Sequence, residues 1–384
     1  MIKTEQKLGL SGEFQVIVRR ADGSIKFDTG MQPNLVLDNG IKHYLGLPMV
    51  NSAGKQQTVH KNGFMNHCYV GTGNKQPATG DVALQNMVAR HVKGLDWTNG
   101  TEQPDTGLHE GFVKLWRRGK YVFDNISNQN ITEVGLAVWY GNETIDTVAY
   151  NNVYTLVTRA LIKDSRGAPI TITVLQGEIL EVVYQINMYV DIKRQTGSFT
   201  LTTTKDNQDT VETFDYFMQP YGVDTTDSIN NWIGFGDYHD ITSWGVKETD
   251  DKLTADYDLN DTVYQGITHT NTDNLSQKIT GSSSSSSISS GSDKYSNRYL
   301  LTTETERSFA TRRSSYKHVN GIYTHIYPNG IRAFKVGVGY VQTYTHLVQG
   351  LVVVKNRANG RGIKKTNRQL WEFSHSYTIS RWEG

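Results

Sequence analysis

The segment from Val157 to Ile192 is the feature that most limits the folds open to this chain. It contains short β-type runs, a Ser-Arg-Gly-Ala-Pro turn and then a long alternating strand. The apolar side chains of that strand fall on one face: Leu180, Val182, Tyr184, Ile186, Met188, Val190 and Ile192. Polar residues such as Glu181, Gln185 and Asn187 fall on the other. A period of two over this length is typical of a strand with one buried face, and it predicts an antiparallel β protein.

Turn signals divide the first half of the chain into further short strands. Asx-Gly pairs mark tight β connections, and Asp22-Gly23 separates residues 14–19 from residues 25–27 as a first hairpin. The pattern predicts strands at Phe112–Phe123, Ile131–Tyr140, Val153–Ile162, Ile170–Val174 and Ile179–Ile192. This spacing favours an antiparallel β-sandwich or jelly-roll-like domain over residues 1–195.

Two segments predict short helices. Residues 35–47 lack alternation and contain Asn39-Gly40, which predicts a helix broken by a turn. Residues 82–88 predict a second helix, with Asp81 capping its amino end and Leu84 and Val88 on one face. Helices are a minor component of the predicted fold.

The second half, residues 196–384, is predicted to form another β-rich domain with long loops. Strands are predicted at Ser198–Thr204, Tyr299–Thr305, Gly330–Val341, Leu347–Val354 and Leu370–Ile379. Between them, residues 281–292 are rich in serine and cannot bury a core. That tract predicts an exposed, flexible loop.

Composition narrows the classes of function. The chain has 384 residues and a formal charge of +1, which argues against a global attraction to nucleic acid or membranes. Its single cysteine, Cys68, cannot form an internal disulfide, so stability must come from burial or assembly. The amino-terminal residues lack the apolar core of a signal peptide, and no run approaches the roughly 20 apolar residues that span a bilayer. We expect folding in a cytoplasm, without a membrane anchor.

No motif points to catalysis, a cofactor or a metal. Gly71-Thr72-Gly73 lacks the Gly-Lys-Ser/Thr ending of a phosphate loop and favours a plain turn. Cys68 is interpreted as a small buried residue. The acidic run between Asp237 and Asp261 does not match an EF-hand, which favours a solvated loop over a calcium site. The scattered histidines give no zinc-binding pattern. We therefore expect a protein without enzymatic activity.

A basic cluster near the carboxyl end is the strongest candidate interface. No acidic residue interrupts it, and nearby tryptophans suit subunit contacts. With the rest of the chain near neutral, a hairpin loop or a protein–protein contact is favoured over nucleic acid. The candidate interface residues are Lys355, Arg357, Arg361, Lys364, Lys365, Arg368, Trp371 and Trp382.

Several segments resemble structural proteins of tailed bacteriophage virions. Residues 34–41 read Asn-Leu-Val-Leu-Asp-Asn-Gly-Ile and are similar to the "N-L-I-T-N-x-G-L" segment of those proteins. Residues 68–84 fit their "C-x-V-G-T-G-x-x-x-P-x-x-x-D-x-x-L" pattern, with Pro77 and Asp81 in the expected places. Glu133-Val134-Gly135 and residues 158–174 are similar to a later block, "S-R-A-L-x-x-D-x-x-G-x-P-T-T-I-T-V". In the second half the resemblance rests on residues 364–366 and Trp382.

The resemblance implies a non-enzymatic building block of the tail, collar or baseplate. Such a protein acts as a homo-oligomeric connector or fibre-anchoring subunit, is made in the bacterial cytoplasm and resides in the virion. Its expected partners are further copies of itself and other virion proteins. Two alternatives remain open. One is a tail-fibre module that binds a host receptor or surface glycan through its aromatic and Asp-rich loops, and the other is a tail-associated polysaccharide hydrolase.

Overall fold

The computed structural model describes residues 2–45, 49–57, 67–92, 95–102, 111–138, 153–191, 193–222, 263–269, 301–307, 311–318, 333–340, 345–363 and 371–382. Within these residues the protein is mainly β, as the sequence predicts, and it contains one helix, α1 (Asp38–Leu45). The strands up to residue 138 are β1 (Ile2–Arg19), β2 (Ile25–Asp28), β3 (Gln32–Val36), β4 (Met49–Val50), β5 (Gln56–Gln57), β6 (His67–Gly71), β7 (Met87–Val92), β8 (Leu95–Glu102), β9 (Phe112–Phe123), β10 (Gln129–Ile131) and β11 (Glu133–Val138).

The remaining strands complete the long alternating segment and the second half of the chain. They are β12 (Thr155–Leu156), β13 (Thr158–Leu161), β14 (Ile172–Val174), β15 (Ile179–Asp191), β16 (Gln195–Lys205), β17 (Gln208–Gly222), β18 (Val263–His269), β19 (Leu301–Arg307), β20 (Thr311–His318), β21 (Ala333–Tyr340), β22 (Thr345–Asn356) and β23 (Trp371–Arg381). Strands predicted from alternation at Phe112–Phe123 and Leu347–Val354 are confirmed as β9 and as part of β22.

Strand β1 organises the largest sheet because it changes neighbours along its length. Residues 2–10 pair in parallel with β23, and residues 8–19 pair antiparallel with β15. On the side away from β15, residues 12–14 pair with β3 and residues 17–19 with β2. One arm of the sheet therefore runs from β1 through β15 and β9 to β8. The other runs through β3, β13, β11 and β6 to β7.

The two arms enclose one apolar core. Between Leu8 and Val18 of β1 and between Leu180 and Val190 of β15, the even-numbered residues face inward in register, with Phe14 opposite Tyr184 and Val16 opposite Val182. The Phe14 and Tyr184 rings are stacked with centroids 5.9 Å apart. Residues of the other arm, among them Val134, pack into the same cluster. Burying each such aliphatic side chain contributes roughly 1.5–3 kcal/mol relative to exposure.

The predicted buried face of the long strand is confirmed from Leu180 to Val190, since every even-numbered residue there is buried. The prediction of a wetter opposite face is wrong at Gln185 and Asn187, which are buried as well and bond each other. Ile192 lies outside the described residues. The hairpin predicted at Asp22-Gly23 is also present as β1–β2, with Gly23 at a φ of +83°. This positive φ is the backbone conformation that glycine adopts without a steric cost.

A separate five-stranded sheet has the order β16-β17-β22-β21-β18. Its first hairpin, β16–β17, turns through Asp206 and Asn207, and both residues have a positive φ. A two-residue hairpin turn that matches the twist of its flanking strands requires this backbone conformation. The predicted boundary at residues 195–196 coincides with the start of this sheet. The large sheet, however, also includes β19, β20 and β23 from the second half of the chain. The predicted boundary therefore does not separate the strands of the large sheet from those of the five-stranded sheet.

The helix predicted over residues 35–47 differs from the observed one. Residues 32–36 form β3, and Asn39-Gly40 lies inside the first turn of α1 instead of breaking it. Asn39 is buried, and its side chain bonds the backbone of Val50 and the carbonyl of Leu156. A Cβ on Gly40 would lie 2.8 Å from the carbonyl oxygen of Val157, so glycine serves close packing here.

The helix predicted over residues 82–88 is wrong. The chain there is irregular until β7 begins at Met87. Asp81 does not cap a helix because its carboxylate accepts the Ala78 N–H and bonds Arg159. Leu84 donates its N–H to the Tyr154 hydroxyl, 3.0 Å away. These tertiary bonds replace the helical ones.

Candidate functional site

Arg159 lies at the centre of a buried cluster of charged side chains. Its Nε donates to Glu133 Oε2 at 2.9 Å, and its Nη1 donates to Asp81 Oδ2 at 2.5 Å. Its Nη2 lies 2.8 Å from Glu133 Oε2 and donates to the Lys75 carbonyl at 3.0 Å. Only 2% of the Arg159 side chain and none of the Glu133 side chain is exposed. Strands β13 and β11 thus hold the segment that carries Asp81 and Lys75.

Glu133 fixes both ends of that segment, residues 72–86, which we call the clamped loop. Its Oε1 accepts the N–H of Gly73 at 3.0 Å and the N–H of Asn86 at 3.1 Å. The neighbouring Thr132 hydroxyl donates to the Gly73 carbonyl at 2.6 Å. A Cβ on Gly73 would lie 2.3 Å from Glu133 Oε1, so only glycine allows this approach.

The interior of the clamped loop is held in the same way. Gln85 Oε1 accepts the N–H groups of Asn74 and Lys75, each at 3.0 Å. Asp81 Oδ2 accepts the N–H of Ala78 at 2.9 Å while it also binds Arg159. These backbone N–H groups, which an irregular loop would otherwise leave to water, are therefore bound by side chains of the loop itself.

The outward surface of the clamped loop is exposed and bears small or polar side chains. Its exposed residues include Asn74, Lys75, Gln76, Ala78, Thr79 and Gly80. The Thr79 carbonyl accepts the N–H of Asp38 at 2.8 Å, which ties the tip to the start of α1. The loop thus presents a surface of fixed shape, which suits recognition of a partner more than chemistry.

The electrostatics of the cluster also indicate a positioning role. Burial acts to lower the pKa of Arg159, but hydrogen bonds to Asp81 and Glu133 and their charges outweigh it, so the pKa is raised. The guanidinium therefore keeps its charge near neutral pH. Both oxygens of Glu133 are occupied by donors. The cluster therefore orders the clamped loop.

Cys68 and Gly71-Thr72-Gly73 fit their sequence-based interpretations. Cys68 is fully buried in the main core, and burial raises the pKa of its thiol, so the nucleophilic thiolate is disfavoured. Gly71 ends β6, and the next two residues begin the clamped loop. The Gly73 N–H is bound to the buried Glu133 carboxylate, so it does not point outward to a phosphate.

His67 is a buried titratable group at the start of β6, the strand that leads into the clamped loop. It lies on β6, opposite Val92 of β7, and is 4% exposed. Burial, together with the positive charge of Arg90 and the neighbouring His91, lowers the pKa of His67 to about 4. The imidazole is therefore neutral at physiological pH.

The structure places three of the predicted basic interface residues at the end of β22 and in the turn that follows it. Lys355, Arg357 and Arg361 are exposed around Asn359-Gly360. Arg357 forms a forked pair with Asp215 on β17, and its Nη2 lies 2.7 Å from Oδ1. This carboxylate offsets part of the positive charge that the sequence suggests. Lys364, Lys365 and Arg368 lie outside the described residues.

The two predicted interface tryptophans lie at opposite ends of β23. Trp371 begins the strand. Trp382 follows it and stacks on Tyr189, with centroids 4.2 Å apart and planes 9° apart, while its edge meets Phe112. A Cβ on Gly9 would lie 2.6 Å from the Trp382 ring, which explains the glycine. Trp382 is half-buried against its own chain, and its role in an interface stays a prediction.

Other candidates cannot be placed. The acidic run between residues 237 and 261, which the glycan hypothesis uses, and the serine-rich residues 281–292 lie outside the described residues. Across the residues that the structure does describe, no group of three His, Cys, Asp or Glu side chains could hold a metal. In the same residues, no helix has the length and apolar character needed to cross a membrane.

The sequence reading missed the Arg159 cluster although it singled out the segments that contain it. Asp81, Glu133 and Arg159 are far apart in the chain, and no local spacing reports a contact between them. The available signal was an arginine inside an otherwise apolar strand pattern, flanked by Thr158 and Ala160. A charged residue at an inward-facing position needs a buried partner of opposite charge.

Comparisons with known proteins give no relative to set beside this site. No protein-family model, no curated protein and no solved structure matches the chain.

Proposed function

We propose that this protein is a structural subunit of a tailed-bacteriophage virion, located in the tail, collar or baseplate. In this role it acts as a homo-oligomeric connector or fibre-anchoring subunit. One observation carries the proposal. The separate segments that resemble virion proteins meet in the Arg159 cluster, since one supplies Asp81 and the clamped loop, another Glu133, and the third Arg159.

A preformed loop suits a subunit that must dock repeatedly onto neighbours. Ordering a flexible segment during association costs free energy, and a loop already held in shape avoids that cost. The buried Glu133 carboxylate and the Gln85 amide of the loop itself fix the loop backbone, while the side chains of residues 74–76 stay exposed. The proposed mechanism is therefore burial of surface between subunits, without a chemical step.

The extended sheets supply further surface for assembly. Strands β7, β8 and β19 lie at edges of the large sheet, and β16 and β18 lie at the edges of the five-stranded sheet. Edge strands offer unpaired backbone donors and acceptors to another chain. A virion subunit can use such edges because its neighbours are held in a fixed arrangement.

Labelling of virions that carry this gene product tests the proposal. Quantitative mass spectrometry of gradient-purified particles, with the major capsid protein as internal standard, is expected to give several copies per particle. Immunogold labelling is expected to place them at the tail, collar or baseplate. The proposal is wrong if the chain is present in infected cells but absent from particles, or if the label lies only at distal fibre tips.

A further inference from the structure

Strands β23 and β3 lie one after the other along the same side of β1. Residues 8–10 of β1 pair with both β15 and β23, and residues 12–14 pair with both β15 and β3, so β23 and β3 are on the side away from β15. Arg381, the last residue of β23, pairs with Leu10, and the β1–β3 ladder begins at Gly12. The end of β23 therefore meets β3 at the point where β3 leaves β1.

Arg381 binds residues 36–38 at two points. Its Nε donates to the Val36 carbonyl, 2.6 Å away, and its Nη2 donates to the Asp38 carboxylate. The first bond holds the end of β3, and the second holds the first residue of α1. One side chain can fix both groups because the guanidinium carries several donors in a rigid planar arrangement.

Residues 37 and 38 in turn hold other parts of the protein through their backbone. The Asp38 N–H donates to the Thr79 carbonyl at the tip of the clamped loop, at 2.8 Å, and the Leu37 N–H donates to the Val157 carbonyl at 2.9 Å. Asp38 thus bonds the strand end through its side chain and the loop tip through its backbone. A continuous chain of contacts runs from Arg381 through Asp38 to Thr79.

Trp382 keeps the end of β23 in this place. Its N–H donates to the Leu10 carbonyl at 2.8 Å, which extends the β1–β23 ladder by one bond. Its ring stacks on Tyr189 of β15 and meets Phe112 of β9 edge to face. Aromatic contacts of this kind add to the stabilisation from burial. Moving the strand end away from residues 36–38 therefore requires these contacts to break.

We propose that the end of β23 sets the position of the loop tip, with Arg381 as a positioning residue that acts through Asp38 on Thr79. The clamped loop then takes its docking shape only when β23 has paired with β1. Strand β1 precedes all the other described strands in the sequence and β23 follows them, so this pair forms after the strands between them have been made. A chain in which β23 has not yet paired lacks the fixed tip and is kept from premature contact with its neighbours.

This inference deepens the proposed function, and it rests on that function for the docking role of the loop. Its test needs only the purified full chain. Failure of the coupling would leave the virion role to be decided by the labelling of particles. Absence of the chain from particles would not change a coupling that is measured in the isolated chain.

Hydrogen exchange at the amide of residue 38 reports the bond to Thr79 directly, because a bonded amide exchanges when that bond opens. Exchange is followed by mass spectrometry with fragmentation that resolves single amides. Arg381→Met is expected to lower the protection factor of this amide about fivefold or more, since it removes a charge-assisted bond that holds residue 38. Amides of β15 in the same sample report global unfolding.

Arg19→Met is the matched control. The Arg19 side chain is 33% exposed, against 26% for Arg381, and it also lies on a strand of the large sheet. It likewise binds one carboxylate and one backbone carbonyl, those of Glu181 and Gly23. This control is expected to leave the protection of residue 38 unchanged, because Arg19 lies at the other end of β1 from β23.

A double variant tests whether Arg381 acts through Asp38. Asp38→Ala removes the carboxylate but keeps the backbone N–H that bonds Thr79. Because the two side chains act on the tip as one unit, Arg381→Met/Asp38→Ala is expected to lower protection by less than the product of the two single effects. Trp382→Ala is also expected to lower it, because the strand end is then held less firmly. Unchanged protection in R381M or W382A, an equal loss in R19M, or the full product in the double variant would each overturn the proposal.

Discussion

Arg159 and Glu133 are diagonal cross-strand neighbours on one face of the β11–β13 pair. Leu161 lies directly opposite Glu133, and Arg159 is two residues from Leu161 on the same strand. Side chains in this relation are close enough for long residues to meet. The contact makes β11 and β13 the anchor of the clamped loop. In that loop the Gly73 N–H binds the Glu133 carboxylate, and the Asp81 carboxylate binds the Arg159 guanidinium.

Removing the arginine is expected to destabilise the protein strongly. Arg159→Met keeps much of the side-chain volume but leaves Glu133 buried without its cation, which costs about 3–5 kcal/mol of unfolding free energy. Urea denaturation measures the change. Arg357→Met is the control, because that arginine and Asp215 are both more than half exposed, and a much smaller change is expected. Equal effects of the two substitutions would contradict a structural role of the cluster.

Removing the negative charge of Glu133 is expected to loosen the clamped loop. In Glu133→Gln, an NH₂ group, which donates, replaces one of the two accepting oxygens. It then faces other donors, either those of Arg159 or the N–H groups of Gly73 and Asn86. Hydrogen exchange followed by mass spectrometry is expected to show faster exchange in residues 72–86 and little change in β15. Protection equal to wild type would show that the carboxylate does not hold the loop.

A glycine in β11 is expected to be irreplaceable. A Cβ on Gly135 would lie 2.5 Å from the Thr158 carbonyl oxygen, so Gly135→Ala is expected to cost roughly 1–3 kcal/mol. Gly80→Ala provides the comparison, since a Cβ there meets nothing within 4 Å and its φ is not positive. Thermal and urea unfolding of the two variants measure the difference. Equal stabilities would mean that the two strands can separate without cost.

Stability is expected to fall in acid because of His67. Its pKa is about 4 in the folded chain, since burial and the charge of Arg90 disfavour the protonated form, and about 6.5 when unfolded. The unfolded state therefore binds the proton first. The contribution of His67 is complete above pH 6.5 and is lost progressively toward pH 4, by roughly 3 kcal/mol. His67→Gln is expected to flatten unfolding free energy against pH in that window, and an unchanged slope would refute this assignment.

Local alternation was sufficient to predict much of the sheet. In β15 the period of two identifies the apolar buried residues from Leu180 to Val190. It does not predict the burial of Gln185 and Asn187 on the other face, because the hydrogen bonds that satisfy these side chains leave no periodic pattern in the sequence. The pairing of β1 with β23 leaves no such pattern either. It joins residues 2–10 to residues 373–381, and nothing local distinguishes this partner from any other strand.

The errors around the site have a common physical cause. Asn39-Gly40 and Asp81 carry the residue types of turns and helix caps, and the sequence reading used them in that way. In the structure their polar groups serve distant elements, as Asn39 bonds residues near 50 and 156 and Asp81 bonds Arg159. Tertiary contacts override local preference at these positions. The Arg159 cluster could not be assembled from spacing for the same reason.

A cryo-electron microscopy map of the virion at side-chain resolution tests the central claim most directly. The claim is that the Arg159 cluster shapes the clamped loop for contact between virion subunits. We predict adjacent copies of the chain in the tail, collar or baseplate, with residues 74–80 of each copy buried against a neighbouring subunit. A map in which these residues face solvent in every copy, or in which the chain occupies only distal fibre tips, would contradict the account.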